Sequence, residues 1–268
     1  MTTNVHPTAI VEAGVEIGVD TVIGPYTVIE KDVIIGDKCS IGPHVMIGQG
    51  TRIDDGCTIF KGAAIGLAPQ DKKFNNETTY TFIGKNTILR EFVTVNRGTV
   101  DRGETRIGDN CWIMAYCHIA HDCVLGNDVT ISNNLAMAGH VEVGNHVTIG
   151  GIVPIHQFTR IGDYAIVGAV ARPFMDVVPY ALCGGEADTH IVGINKVGLE
   201  RHGFSSERRT NIKRAYKTLF REGLSWTDAV VSLTSTFPGD KDIELLINFV
   251  NTKSKRGLMR MKTNIEID

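Results

Sequence analysis

The sequence predicts an all-β solenoid, a parallel β-helix of six-residue repeats, with a C-terminal α-helical domain. Three observations carry this. An aliphatic residue recurs at nearly every sixth position, a small or β-branched residue follows four places after most of these, and the spacing turns helical near residue 211. A period of six fits neither an amphipathic helix nor an alternating strand. It describes a short strand and a turn repeated at fixed length.

The register starts at Val5 and steps through Val11, Ile17, Ile23, Ile29 and onward to Ile65. It resumes at Ile83, Leu89 and Val95 and then runs from Ile107 to Val167. Of 28 positions in this phase 25 are apolar, and the exceptions Asp71, Glu77 and Asp101 mark two interruptions. Loop insertions are therefore expected near 66–82 and 97–105. The large aliphatic fills the interior, the small residue (Thr21, Cys39, Cys57) sits beside it, and Gly, as in Ile17-Gly18, eases the corner. Five of the six cysteines (Cys39, Cys57, Cys111, Cys117 and Cys123) occupy that small position and only Cys183 lies outside the register, so packing is favoured over metal binding or a disulfide framework.

The pattern resembles the hexapeptide-repeat transferases. In them three hexapeptides form one triangular coil, residues 18 apart stack about 4.8 Å apart, and the coiling is left-handed, against the usual rule for parallel crossovers. The resemblance, not the periodicity, supplies the hand. It implies a left-handed parallel β-helix over residues 1–190.

After Val167 the register ends. Ile212, Ala215, Tyr216, Leu219 and Phe220 follow helical spacing, Ser225-Trp226-Thr227-Asp228 reads as a helix start, and Pro238-Gly239 breaks the chain before Ile243 to Val250. A helical domain over 191–268 would cap the solenoid's open end.

Composition is ordinary for a soluble protein, with 43% hydrophobic and 21% charged residues, which excludes a disordered or membrane-spanning class. The start has no basic, apolar leader, so a cytoplasmic location without membrane insertion is expected. The formal charge of −3 hides an asymmetry: residues 191–268 hold 14 Lys and Arg against 9 Asp and Glu, the remainder 13 against 21. A basic tail on an acidic body points to an anionic partner near the C-terminus, or to a solvated helix face. Nothing indicates nucleic-acid binding.

Chemistry concentrates between Ala115 and Phe158. His121 and Asp122 fall two and three residues past the interior Ile119, at a corner, facing outward. Stacking by 18 aligns His121 with Gly139 and Gln157, and Asp122 with His140 and Phe158; His156 borders the column. Several ionisable groups converging beside a Gly that admits a ligand to the backbone suggest a site. Zinc is a competing reading, since His is a common ligand, but no third ligand stands at a set spacing, and no metal or cofactor is expected.

His118-Ile119-Ala120-His121-Asp122-Cys123, Ala138-Gly139-His140 and Val153-Pro154-Ile155-His156-Gln157-Phe158 resemble the UDP-N-acetylglucosamine O-acyltransferase family, which takes the first step of lipid A synthesis. Pro69-Gln70-Asp71, Arg97-Gly98-Thr99, Gly193-Ile194-Asn195 and Arg201-His202-Gly203-Phe204 match in order along nearly the whole chain. The resemblance implies transfer of an (R)-3-hydroxyacyl group from acyl carrier protein to the glucosamine 3-position of UDP-N-acetylglucosamine, or its 3-amino analogue. His121 would be the general base, Asp122 its orienting partner and the Gly139 N–H the oxyanion donor. Gln70, Asp71, Lys73, His118, His140, His156, Gln157, Asn195 and Arg201 would line the substrate site, and Ala169 would stand at the acyl-chain ruler. Arg208, Arg209, Lys213, Arg214, Lys217 and Arg221 would dock the acidic carrier protein, and the active form would be a homotrimer with clefts between subunits. Asn96, Val197 and His202 depart from common family residues. Two rivals are a zinc enzyme similar to γ-type carbonic anhydrases and the later N-acyltransferase of the same pathway, which carries an extra domain before its solenoid.

Overall fold

The computed structural model describes residues 4–185 and 188–262. The chain coils into a left-handed parallel β-helix with three flat faces, followed, among the described residues, by four helices. The first face begins with Asn4–Val5, the second with Ile10–Val11 and the third with Glu16–Ile17; strands three apart in the chain pair in parallel. Regular strands are two residues long, as in Ser40–Ile41 and Thr58–Ile59, with the second residue buried. Ile29, Ile47, Ile65, Ile113, Ile119 and Ile131 are wholly buried, each contributing about 1.5–3 kcal/mol by leaving water.

The small position has a further role. Thr21 Oγ1 donates to Gly36 O at 2.8 Å and accepts the Cys39 N–H at 2.9 Å, so a residue here serves the next coil's backbone. Cysteine fills the same role: the Cys111 and Cys123 thiols donate to Gly126 O and Ala138 O, both at 3.2 Å. Burial pushes the Cys123 and Cys183 thiols up to about 12, so both stay protonated and packed at neutral pH. Cys183, outside the sequence register, still stacks on Val167, because strand Ala181–Gly184 adds one more parallel rung after an irregular coil.

At nearly every regular corner one residue takes a left-handed backbone conformation; examples are Asp32 (φ 55°), Asp122 (φ 61°) and His140 (φ 61°). Asp, Asn and His tolerate it better than most side chains. Both expected insertions open at the corner between the second and third faces, after Ala64–Leu67 and after Thr94–Asn96. They set strand partners 30 apart (Ile53 with Ile83) and 24 apart (Ile83 with Ile107) instead of 18. Both lengths remain multiples of six, so the phase resumes unbroken.

Strand His190–Ile194 runs antiparallel to Ala181–Gly184, and the division expected at 190/191 falls at its first residues. Helices α1 (Lys196–Arg201), α2 (Ser206–Arg221), α3 (Trp226–Thr236) and α4 (Lys241–Asn251) follow, N-capped by Asn195, Ser205, Ser225 and Asp240. Ser225 caps α3 as the sequence suggested; α2 starts earlier than Asn211 because its first turn is polar and carries no apolar period. Helix α2 buries Ile212, Ala215, Tyr216 and Leu219, and the Tyr216 and Tyr180 hydroxyls donate to Pro179 O and Asp242 O across the junction. Near the end, Leu258 and Met261 bridge back to Asp176 and Ile191. Among the described residues no helix is long and apolar enough to cross a membrane.

Candidate active site

The second-face strand His118–Ile119 ends at the corner residues Ala120, His121 and Asp122. The next coil brings Ala138, Gly139 and His140 to the same corner, and the one after brings His156, Gln157 and Phe158. His121 Nδ1 lies 2.7 Å from Asp122 Oδ2. Asp122 leaves the coil interior yet is wholly buried, which corrects the outward-facing position read from the register. The 97–103 loop covers it: the Thr99 N–H donates to Oδ1 at 2.9 Å and the Thr99 hydroxyl to Oδ2 at 2.6 Å. Burial alone would raise the Asp122 carboxyl, but hydrogen bonds from His121 and Thr99 prevail and hold it at about 2. An ionised Asp122 accepts only, so His121 Nδ1 carries the proton and Nε2 keeps its lone pair for the solvent side.

Gly139 lies directly against the imidazole. A Cβ there would meet His121 Cε1 at 2.6 Å and Nε2 at 2.8 Å, so only glycine leaves the ring its place. Among the described residues the Gly139 N–H has no hydrogen-bond partner, while its carbonyl accepts from Phe158 N at 3.2 Å. His140 packs edge-on to His121, with centroids 5.1 Å apart, and stacks on Phe158 at 4.5 Å. Burial lowers the His118 and His140 imidazoles; His121 adds to this at both, and Asp122 opposes it at His140.

Two clefts meet at this corner. A groove of about 560 Å³ runs along the second face past His118, Ala136, Ala138, Pro154, His156 and Phe174, and is mostly apolar. A cleft of about 590 Å³ lies under the first insertion and is lined by Gln70, Asp71, Lys73, Asn96, His121 and His140, among others. Gln157 borders both. Of the residues expected here, Gln70, Asp71, Lys73, His118, His140, His156 and Gln157 thus converge on His121. Sequence reasoning missed Thr99, Phe74 and Phe174, and it noted Asn96 only as a departure from the family pattern, not its buried, unpartnered Oδ1 in the cleft. The Arg97-Gly98-Thr99 motif was the available signal for Thr99.

Other expected residues lie elsewhere on the chain. Asn195 is engaged in capping α1 and donates to Tyr164 O at 2.8 Å, beside the corner between the third and first faces. Arg201 is exposed at the end of α1, and Ala169 is exposed on the corner between the first and second faces; none of the three lines either cleft. Val197 is exposed on α1, and His202 packs against His146 and Tyr164. On α2, Arg208 pairs with Asp242, Arg209 with Glu200, Arg214 lies over Phe237, and the Arg221 guanidinium donates to Lys262 O. Lys213 and Lys217, one turn apart, are exposed and enter no ion pair among the described residues.

His121, Asp122 and His140 also bring three possible metal-ligand atoms within 4.8 Å, a third group that sequence spacing did not single out. The Asp122 oxygens already accept from Thr99 N–H, Thr99 Oγ1–H and His121 Nδ1–H. An ion would have to displace these bonds, so the donors present fit an oriented imidazole better than a zinc centre.

Residues 176–259 match the second domain of UDP-N-acetylglucosamine O-acyltransferase, and residues 14–49 and 104–139 match the bacterial transferase hexapeptide. A relative from Halorhodospira halophila, named acyl-[acyl-carrier-protein]–UDP-N-acetylglucosamine O-acyltransferase, is 47% identical over 96% of this chain and 100% of its own. The chain belongs to the UDP-N-acetylglucosamine O-acyltransferase family. A Myxococcus xanthus member is also 47% identical, over 96% of this chain and 99% of its own. The crystal structure of the Moraxella catarrhalis member superposes with a TM-score of 0.92 at 41% identity, covering 96% of this chain and 99% of that one. The Arabidopsis member keeps the fold at 28% identity, with a TM-score of 0.81 over 96% of this chain and all of its own.

Proposed function

We propose that this protein transfers an (R)-3-hydroxyacyl group from acyl carrier protein to the 3-position of the glucosamine in UDP-N-acetylglucosamine, the first step of lipid A synthesis. The observation that carries the chemistry is the His121–Asp122 pair beside the free Gly139 N–H, where an apolar groove and a polar cleft meet. His121 Nε2 takes the proton of the sugar hydroxyl as its oxygen attacks the thioester carbonyl. The Gly139 N–H donates to the resulting oxyanion, and Asp122 stabilises the imidazolium. Collapse breaks the carbon–sulfur bond, and the imidazolium returns its proton to the departing thiolate. The polar cleft with Gln70, Asp71 and Lys73 takes the sugar nucleotide; the apolar groove takes the acyl chain.

A single chain leaves this site open. Arg201 at the end of α1, Asn195 at its N-cap and Ala169 at the corner between the first and second faces line neither cleft, and a convex corner does not enclose a long acyl chain. In a homotrimer a neighbouring copy supplies these residues and the missing wall. The α2 residues Lys213, Arg214 and Lys217 face solvent and attract the acidic carrier, aided by Arg208, Arg209 and Arg221 at the edge.

The test is release of free thiol from a 3-hydroxyacyl carrier protein with either UDP-N-acetylglucosamine or its 3-amino analogue, and mass determination of the sugar product. Acylated sugar with stoichiometric thiol is expected; no thiol release with either acceptor defeats the reading. For assembly, inactive His121→Ala and Arg201→Ala chains are mixed, and partial activity is expected from shared clefts. A fully active monomer in sedimentation overturns the trimer.

A further inference from the structure

The 97–103 insertion belongs to no repeat, yet its turn is tightly built. A Cβ on Gly98 would meet the Glu104 nitrogen at 2.2 Å, and Gly103 takes a φ of 78°. This fold carries Thr99 onto the carboxylate one coil further along. Its N–H reaches Asp122 Oδ1 and its hydroxyl reaches Oδ2. From the other side, Thr105 Oγ1 accepts the Asp122 N–H at 2.8 Å, so backbone and side chain of Asp122 are both tied. Thr105 is wholly buried and Thr99 nearly so.

We propose that Thr99 is a positioning residue for acyl transfer, holding the Asp122 carboxylate in the orientation that receives His121 Nδ1–H and turns Nε2 toward the substrate. This rests on the reading of His121 as the base. A carboxylate held by one partner alone turns about its Cβ–Cγ bond and offers either oxygen. Here an amide pins Oδ1 and a hydroxyl pins Oδ2, and the remaining acceptor direction of Oδ2 is spent on the imidazole. A buried carboxylate without such donors is disfavoured as an anion. Thr99 acts on the imidazole through Asp122, its hydroxyl also accepting the Asp101 N–H at 3.3 Å to hold the turn, and the second insertion thereby has a purpose: it closes the carboxylate away from water.

Thr99→Val and Thr99→Ser separate this from a packing role. Valine keeps the branched shape and removes the donor; serine keeps the donor. Thr99→Val is expected to lower kcat about 10- to 100-fold, the rate equivalent of one hydrogen bond to a charged group. KM for carrier and UDP-sugar should stay within about twofold. The acid limb of the kcat/KM profile should move to higher pH, since a carboxylate with fewer donors holds the imidazolium proton more tightly. Asp122, His118 and His140 face the imidazole directly, with Asp71, Lys73, Glu77 and Asp101 around the cleft and Lys255 beyond Phe158; none of these changes between the variants. Thr99→Ser should restore most of kcat and the parent profile.

A substrate-free NMR titration of the His121 imidazole reads the same effect without turnover. A parent chain inactive toward both substrates would therefore defeat the proposed function while leaving this test intact. Parent-like kcat and titration in folded Thr99→Val overturn the proposal. So does a Thr99→Ser chain as impaired as Thr99→Val with an unmoved profile, which would make Thr99 a packing residue.

Discussion

Two corners of the same coil are built on one backbone turn and used in opposite ways. Between the third and first faces, most turn N–H groups are closed by a side-chain oxygen of the next coil. Asp109 N donates to Asn127 Oδ1 at 2.8 Å, Asn127 N to Asn145 Oδ1 at 2.9 Å and Asn145 N to Asp163 Oδ1 at 3.2 Å. Between the second and third faces, the matching stack is His121, Gly139 and Gln157, and the Gly139 N–H is left unclosed beside an imidazole. Both insertions open at this second corner as well. A repeat that satisfies its turn donors makes a stable edge. A repeat that leaves them open, and roofs the opening with a loop, makes a site.

The sharpest way to break this contrast is His121→Ala. Turnover should fall about 10²- to 10⁴-fold with folding retained, since a general base is lost from a partly exposed corner. Near-normal kcat in thioester-release assays would remove His121 from the mechanism. Gly139→Ala comes next: its methyl group collides with the His121 ring, so kcat should drop about 10²- to 10³-fold, comparable to losing an oxyanion donor. Circular dichroism should be unchanged, and a fully active Gly139→Ala would refute the close approach.

The electrostatics give a third check. The Asp122 carboxyl is held at about 2 in the folded protein, below the ordinary aspartate value near 3.8. Its stabilisation, about 2 kcal/mol, is fully present above pH 4 and is lost as pH falls from there through about 2. The melting-temperature gap between the parent and Asp122→Asn should close over that window; a gap constant from pH 5 to 2.5 would contradict the assignment. His118 and His140, whose imidazoles are lowered, instead destabilise the fold as pH drops below about 6.5, where the unfolded chain binds protons first.

Smaller effects sharpen the comparison. Lys217→Glu on exposed α2 should raise KM for the carrier substrate by about three- to tenfold at low salt, with the difference shrinking as salt rises. An unchanged KM would locate the carrier elsewhere. At the closed corner, Asn127→Ala removes the oxygen that accepts the Asp109 N–H and should cost about 0.5–1 kcal/mol in denaturant unfolding, with no change in kcat. A loss of kcat there would mean the two corners are not functionally separate.

The six-residue period determined the solenoid, its core and its two interruptions, because interior positions admit only residues of one size and that constraint recurs in every coil. Ile119, Met137 and Ile155 could be placed before any coordinates, and with stacking by 18 so could the column of His121, Gly139 and Gln157. The start of α3 was legible from its capping residue Ser225, whereas α1 and the polar first turn of α2 were not. Other features came only from tertiary structure. The burial of Asp122 depends on Thr99 from a loop outside the repeat, and no period encodes where an insertion folds. The stacking of Cys183 on Val167 depends on an irregular coil whose length breaks the count of six. That Asn195, Arg201 and Ala169 line neither cleft depends on where α1 and each corner come to lie, and only the closed coil with its helical cap determines that. A repeat writes its packing into the sequence because every rung faces the same neighbours; the contacts of a single loop occur once and leave no period to read.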